Sequence, residues 1–354
     1  MCEACILEDL SRRNLLKMGT GLLAGAAWAG NAGWSHGKAA APRRSFNDPV
    51  ELAPGVFFLE GSTTFFEAGT SAGPSGNYQT LMCNNGWVIF DDFVLVVDAN
   101  LPARAEALIE AIRKTTDKPI RFVLNTHHHG DHIYGNKLFV EREHTRIVSH
   151  EGLTQELKQH ETGYFGGAPG RWETVAKLRP DVAATPLVTP TETFSTSRIM
   201  KDRAGREVHL LHLGRGHTSG DAWVWLPKER VLFAGDMLTN GPYNIVRDSF
   251  MGDWVSALGK ADGLGAEIVL PGHGPAGEAD LVTRQKAYWE AIRDIALRHK
   301  RAGTSWKELE DSIGKIRVEL ESDDRAVRHL IPQHSELPIL SLGAHLQRYF
   351  EQLA

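Results

Sequence analysis

Four histidines and an aspartate fall within six residues, His127-His128-His129-Gly130-Asp131-His132, directly after the apolar run Ile120 to Asn125. The β-branched and aromatic residues of that run are typical of a buried strand, and Gly130 breaks the chain soon afterwards. Imidazole and carboxylate groups bind divalent transition metals, and unpaired imidazoles gain nothing from such density. The segment therefore predicts a metal site on a loop that leaves a strand.

The spacing within this segment indicates more than one ion. In extended backbone, alternate side chains share a face, so His127 and His129 can reach one ion while His128 points away. Asp131 and His132 follow the glycine and can turn toward a second ion.

Three later fragments also place a metal-binding side chain where an apolar strand gives way to a loop. Glycines flank each of these side chains, which lets backbone segments crowd around one point. The fragments are Gly216-His217-Thr218-Ser219-Gly220-Asp221, Ala234-Gly235-Asp236 and Pro271-Gly272-His273-Gly274.

Together the candidate ligands are five histidines and two carboxylates: His127, His129, His132, His217, His273, Asp131 and Asp236. Seven nitrogen and oxygen ligands are too many for one zinc ion but suit two ions that share a bridging carboxylate. Two such ions lower the pKa of a shared water, so that hydroxide is available near neutral pH without a protein nucleophile.

The elements that must position these ligands alternate between strand and helix. Strands are predicted at Val56 to Leu59, Asn77 to Cys83, Trp87 to Phe90, Val94 to Asp98, Ile120 to Asn125, Arg146 to Val148, Val208 to Leu213, Ala222 to Leu226, Val231 to Ala234 and Glu267 to Leu270, with Asn84-Asn85-Gly86 as a turn. Helices are predicted at Pro102 to Thr115, His132 to Phe139, Glu151 to His160, Asp253 to Lys260 and Ala279 to Lys300, and from Ser305 onward. Strands, helix and metal loop occur twice, which indicates two similar halves.

Two irregular segments are candidates for substrate contact. A Gly-, Ser- and Thr-rich loop from Gly61 to Gly76 carries Phe65 and Phe66, and an insertion from Gly163 to Arg171 carries Tyr164. A flap and a mobile lid are the functional interpretations; buried aromatics and a plain surface connection are the alternatives.

The ordered motifs His-x-His-x-Asp-His, Gly-His-Thr-x-Gly-Asp, Gly-Asp and Pro-Gly-His-Gly resemble the metallo-β-lactamase superfamily from about Val56 to Gly274. The resemblance implies an α/β fold, a four-layer αββα sandwich, which we assign to 42–278. The helices predicted after it indicate a helical extension, 279–354, packed on the same domain. It also implies that His127, His129 and His217 hold the first metal. Asp131, His132 and His273 would hold the second, and Asp236 would bridge them.

The resemblance further implies that Asp98 supports the site from behind the ligands. His212, in the strand before His217, is a weaker candidate for such support, and Asn240 and Tyr243, after the bridging aspartate, are candidates for substrate contact. Two divalent cations are the expected cofactors, with zinc favoured and iron or manganese as alternatives.

The first forty residues differ in kind from the rest. Arg12 and Arg13 precede the apolar run Met18 to Ala29 and the alanines before Pro42, and this resembles a twin-arginine export signal over 1–41. Its removal leaves 35 basic and 41 acidic residues, so the mature chain is mildly acidic and nucleic acid is not an expected partner. We expect a periplasmic protein with no stable membrane anchor after cleavage.

The three cysteines do not change this interpretation. Cys2 and Cys5 lie in the signal, and two cysteines alone do not complete a structural zinc site. Cys83 would then remain alone, so no intramolecular disulfide is expected.

These features predict a dinuclear zinc hydrolase that uses metal-bound hydroxide on a small ester, thioester, lactone or similar substrate, with Asp131 and Asp236 as catalytic carboxylates. Asp236 resembles the bridging residue of glyoxalase II and related hydrolases, which true β-lactamases usually lack. The alternatives are β-lactam hydrolysis, an iron-dependent oxidoreductase similar to persulfide dioxygenases, and a nonenzymatic metal-binding role.

Overall fold

The computed structural model describes residues 48–61, 82–162, 171–177, 179–323, 328–332 and 341–353. Thirteen strands of this part form two sheets. The first sheet, in spatial order, contains β1 (Val50–Ala53), β2 (Val56–Leu59), β3 (Asn85–Ile89), β4 (Val94–Val97), β5 (Ile120–Asn125), β6 (Arg146–His150) and β7 (Glu192–Phe194). The second, in the spatial order β13-β12-β11-β10-β9-β8, contains β8 (Ser197–Lys201), β9 (Glu207–Leu211), β10 (Trp223–Leu226), β11 (Val231–Thr239), β12 (Ile268–His273) and β13 (Gly277–Glu278).

Helices connect the strands and follow the second sheet. They are α1 (Pro102–Arg113), α2 (Gly130–Ile133), α3 (Asn136–Glu143), α4 (Glu151–Thr162), α5 (Arg171–Ala176), α6 (Pro180–Ala183), α7 (Met251–Asp262), α8 (Asp280–Arg301), α9 (Trp306–Asp311), α10 (Ile313–Glu321) and α11 (Leu342–Gln352). No helix in the described ranges is both long enough and apolar enough to cross a membrane.

The buried apolar side chains form separate clusters between the two sheets and on the outer face of each sheet. One buried cluster lies between the sheets and includes Phe58, Leu95, Val224 and Phe233. The outer face of the first sheet packs on α1 and α3, and the outer face of the second packs on α7, α8 and α11. Each sheet is therefore apolar on both faces, and the layers are helix, sheet, sheet, helix. This confirms the predicted αββα sandwich.

Three strands that carry or lead to metal-binding motifs have at least one parallel neighbour. β5 pairs in parallel with β4 and β6, and β11 pairs in parallel with β12. Parallel strands end at the same edge of a sheet. Ligand atoms from the loop after β5 lie within 4.8 Å of those on β11 and β12, so these strand ends meet at one edge of the sandwich.

The structure corrects the sequence prediction around Gly86. Asn84-Asn85-Gly86 is not a turn, because β3 begins at Asn85 and pairs with both β2 and β4. The buried Asn85 side chain donates to the carbonyls of Val97 and Asp98, which uses the amide inside the sheet. A Cβ at Gly86 would lie 2.0 Å from the Phe233 ring, so the glycine provides room between the sheets.

Other boundaries also differ from the prediction. The helix expected from His132 to Phe139 is divided into α2 and α3 at Gly135, where a Cβ would lie 2.3 Å from the Ala99 carbonyl oxygen. Strands β1, β7 and β8 were not predicted, because each has exposed or half-exposed positions and little apolar periodicity. The predicted strand Asn77 to Cys83 lies largely outside the described residues, as does the proposed signal segment.

The C-terminal helices pack on the second sheet. Trp289 on α8 and Leu346 on α11 are fully buried in the same cluster as Trp254 on α7. The predicted capping box is present, since Ser305 accepts from the Glu308 backbone N–H and Glu308 accepts from the Ser305 N–H.

Candidate metal centre

The first group of ligands combines the loop after β5 with the second sheet. His127, His129, His217 and Asp236 each offer one ligand atom, and these atoms lie within 4.8 Å of one another. His217 Nε2 is 3.0 Å from His129 Nδ1 and 3.6 Å from Asp236 Oδ2. Three imidazoles and a carboxylate around one point have the composition of a zinc site.

The second group stands beside the first. Asp131, His132 and His273 also place one ligand atom each within 4.8 Å of the others. His273 Nε2 lies 3.3 Å from Asp131 Oδ2, and His132 Nε2 lies 3.5 Å from the same oxygen. The structure thus separates the seven predicted ligands into the two expected sets.

Asp236 lies between the groups. Its Oδ2 is 3.9 Å from His127 Nε2 and 3.3 Å from His273 Nε2, and its Oδ1 is 3.2 Å from His132 Nε2. One carboxylate therefore contacts imidazoles of both groups, which is the geometry expected of a bridging ligand.

The polar atoms that face this point are buried without hydrogen bonds. Those with no partner of acceptable geometry in the described part of the chain are His127 Nε2, His132 Nε2, His273 Nε2, Asp131 Oδ2 and Asp236 Oδ1. Buried polar groups are nearly always paired, so these donors fit a pair of divalent cations.

The two groups differ in protonation. Burial lowers the pKa of His127 and His129 well below the ordinary value, and that of His217 to about 4, so these rings are neutral. Burial also lowers the pKa of His273, but Asp236 and Asp131 outweigh it and raise the pKa to about 9. Without metal, the second group therefore holds protons that the first does not.

Asp98 holds the second group from behind. Its Oδ2 lies 2.8 Å from His132 Nδ1 and accepts from Thr126 Oγ1 at 2.8 Å, while its Oδ1 accepts from the Thr126 backbone N–H at 2.7 Å. His132 Nδ1 is thereby committed to the carboxylate, which leaves Nε2 to face Asp131 and Asp236.

Two glycines allow the loops to approach. Gly235 has φ +52°, and a Cβ there would lie 2.7 Å from Thr126 Cβ. A Cβ at Gly272 would lie 1.9 Å from Asp236 Oδ1. The backbone next to Asp236 and His273 therefore has no space for a side chain.

With this geometry established, the family can be assigned from sequence. The family model of the metallo-beta-lactamase superfamily matches residues 79–273, which is more than half of the chain and contains all seven ligands.

The chain belongs to the metallo-β-lactamase superfamily.

Members of this superfamily are metal-dependent hydrolases. A linear primary-alkylsulfatase of a Pseudomonas species is 28% identical over 199 residues, which are 48% of this chain and 37% of the relative. The type 2 metallo-beta-lactamase of Bacillus cereus is 28% identical over 182 residues, 49% of this chain and 60% of the relative. This chain thus spans less than two thirds of the length of either relative.

Solved structures agree on the fold. The metallo-beta-lactamase from Pontibacter korlensis superposes with a TM-score of 0.53 at 18% identity, covering 69% of this chain and 98% of that chain. The superposition supports the αββα sandwich of the superfamily.

Other predicted site residues of this metallo-β-lactamase superfamily member are placed less directly. His212 does not contact a ligand side chain; its Nδ1 lies 2.8 Å from the Asp221 carbonyl oxygen, and its ring stacks on His150. Asn240 and Tyr243 lie in the loop after β11, where the Asn240 amide donates to the Pro275 carbonyl. Phe65, Phe66 and Tyr164 are outside the described residues.

Two residues at the site were not predicted. Asp248, in the loop between β11 and α7, has Oδ2 2.9 Å from His129 Nε2 and 3.7 Å from Nε2 of the buried His128. Asn84 donates to the carbonyls of Pro271 and Gly274 and so connects the first sheet to the His273 loop. Neither lies in a recognisable motif, and the only signal for Asn84 is a polar residue at the edge of an apolar segment.

Proposed function

We propose that this protein is a dinuclear metal-dependent hydrolase of a small ester, thioester, lactone or similar substrate, with zinc as the cation. The observation that carries the proposal is Asp236, whose carboxylate lies 3.2–3.9 Å from imidazole nitrogens of both ligand groups. When bound, two divalent cations activate water and polarise the bond under attack.

The two carboxylates have different surroundings, which supports different roles. The Asp236 side chain is only 4% exposed and keeps the imidazoles in place. The Asp131 side chain is 11% exposed, so we assign it to the substrate side of the site. Its buried Oδ2 would face the second cation, and its other oxygen, Oδ1, would take up the proton of the attacking water. No serine or cysteine nucleophile is needed in this scheme.

The relatives support a broad class of substrates. One acts on linear primary alkyl sulfates and another is a β-lactamase, so the shared chemistry is attack of water on an activated ester or amide. Sulfate esters and β-lactams therefore belong in the same screen as carboxylic esters, thioesters and lactones.

The experiment is metal analysis followed by this screen. The mature chain, purified without chelator, should contain two zinc ions and hydrolyse at least one class of the panel. Fewer than one metal per chain together with no hydrolysis would refute the proposal. Bound iron with oxygen uptake would instead favour the oxidoreductase alternative.

We also propose that the chain is exported to the periplasm by the twin-arginine route. The motif around Arg12 and Arg13 supports this proposal. Replacing both arginines by lysine should leave the protein in the cytoplasm, as measured by cell fractionation, whereas the unchanged chain should be found in the periplasmic fraction.

A further inference from the structure

His129 is held from outside the ligand group by Asp248. His129 presents Nδ1 toward His217, and its other ring nitrogen, Nε2, lies 2.9 Å from Asp248 Oδ2. An imidazole that donates Nε2–H to a carboxylate keeps its lone pair on Nδ1, which is the atom that faces the first group. Arg247 donates to the same carboxylate, with Nη2 3.0 Å from Oδ2.

The loop that carries Asp248 is fixed next to this residue by the last helix. The Ser249 carbonyl accepts from the Arg348 guanidinium, with the shorter bond at 2.8 Å, and from Gln352 Nε2 at 2.7 Å. Gln352 Oε1 accepts from the Met251 N–H, and the Tyr349 hydroxyl donates to the Met251 carbonyl. Three side chains of α11 therefore satisfy the backbone on the C-terminal side of Asp248.

The beginning of the same loop is held by a buried network. The Asn244 carbonyl oxygen lies 2.9 Å from His345 Nε2 on α11, and its side-chain oxygen accepts from Gln285 Nε2 on α8 at 2.8 Å. Tyr288 lies 2.7 Å from His345 Nδ1, which completes the partners of that ring. Burial lowers the pKa of His345 to about 4, so the network keeps one protonation state across the physiological range.

We propose that the C-terminal helices are part of the metal centre: α8 and α11 fix the loop Asn244 to Met251, and Asp248 of this loop orients His129 for the first cation. Asp248 is a positioning residue, not a ligand. These helices lie beyond the residues that match the family model, 79–273. The inference rests on the proposed dinuclear centre.

The test is the separate affinity of the two sites. Cobalt(II) is added to metal-free protein in competition with a chelator, and binding is followed by visible absorption. Asp248→Asn should weaken binding of the first cation by about 10–100-fold and leave binding of the second unchanged, because Asp248 groups with His128 and His129, whereas Asp131, His132 and His273 form a separate group. Asp294→Asn, at an exposed aspartate on α8 beside Arg293, is the matched control and should change neither affinity.

A second pair of variants tests the role of the helix. The double variant Arg348→Met, Gln352→Met removes the side chains that hold the Ser249 carbonyl. Like Asp248→Asn, it should lower the affinity for the first cation, by about threefold or more. Arg298→Met is the control, since Arg298 on α8 forms an exposed ion pair with Glu319 on α10.

The outcomes separate the inference from the proposed function. Wild-type protein that binds no cobalt contradicts the dinuclear centre itself. Wild-type protein that binds two cations, with Asp248→Asn binding both as tightly, overturns only the positioning role. Equal loss at both sites in Asp248→Asn also overturns it, because that pattern indicates general destabilisation.

Discussion

Asp98→Asn tests whether the Asp98 carboxylate supports the second ligand group through His132. Asp98 is buried and has φ 62°, a left-handed conformation that asparagine also tolerates, so the substitution leaves the backbone undisturbed. The substitution replaces one of the two acceptor oxygens of the side chain by an NH2 group that only donates hydrogen bonds. The carboxylate has three partners: the Thr126 N–H, the Thr126 hydroxyl and His132 Nδ1.

The amide can keep two of these three contacts at best. If its oxygen takes the place of Oδ2, the Thr126 hydroxyl and His132 keep their partner, but the amide NH2 then faces the Thr126 N–H. One hydrogen bond to a charged acceptor is lost, which is worth about 1.5–3 kcal/mol. His132 also loses an anionic partner, so affinity for the second cation should fall about 10–100-fold.

Two measurements check this result. Urea unfolding of the metal-free protein should give a free energy of unfolding about 1.5–3 kcal/mol lower than that of the wild type. Metal titration should show the larger loss at the second site. Asp92→Asn is the control, because Asp92 is an exposed partner of Arg121 and such pairs contribute about 0–1 kcal/mol. An Asp98→Asn variant with unchanged stability and unchanged second-site affinity would refute the reasoning.

Four further predictions follow from the geometry. Asp236→Ala should lower metal affinity by more than about 100-fold and abolish hydrolysis, as measured by metal content and turnover, since it removes the contact shared by His132 and His273. Binding of the second cation should release a proton, because the pKa of His273 is raised to about 9. The affinity for this cation should therefore rise with pH up to about 9 and then level off. Calorimetry in two buffers of different ionisation enthalpy measures the number of protons released. The same raised pKa stabilises the metal-free fold below the ordinary value of 6.5, and this contribution is lost as pH rises through about 9, as urea unfolding should show. Gly235→Ala should destabilise the fold by about 1–3 kcal/mol more than Gly205→Ala in thermal unfolding, because both have positive φ but only Gly235 lies against Thr126.

The candidate ligands that the structure brings together could be chosen from the sequence because their pattern is local. Five of the seven candidate ligands adjoin a glycine near the end of an apolar segment, and this pattern predicts both the residue and its edge of the sheet. Asp248 could not be found in this way, since its role depends on a contact with His129 from a distant loop. The start of β3 at Asn85 and Gly86 was assigned to a turn for the same reason, because the Asn85 side-chain amide is satisfied by the Val97 and Asp98 carbonyls across the sheet.

The two ligand groups each draw on both sheets. His127 and His132 follow β5 of the first sheet, whereas His217, Asp236 and His273 belong to the second. Each cation, when bound, would therefore crosslink the two halves of the chain. The sheets could then separate at this edge only after both cations leave, so the rate of unfolding of the metal-loaded protein should be set by metal dissociation and not by the opening of the apolar core.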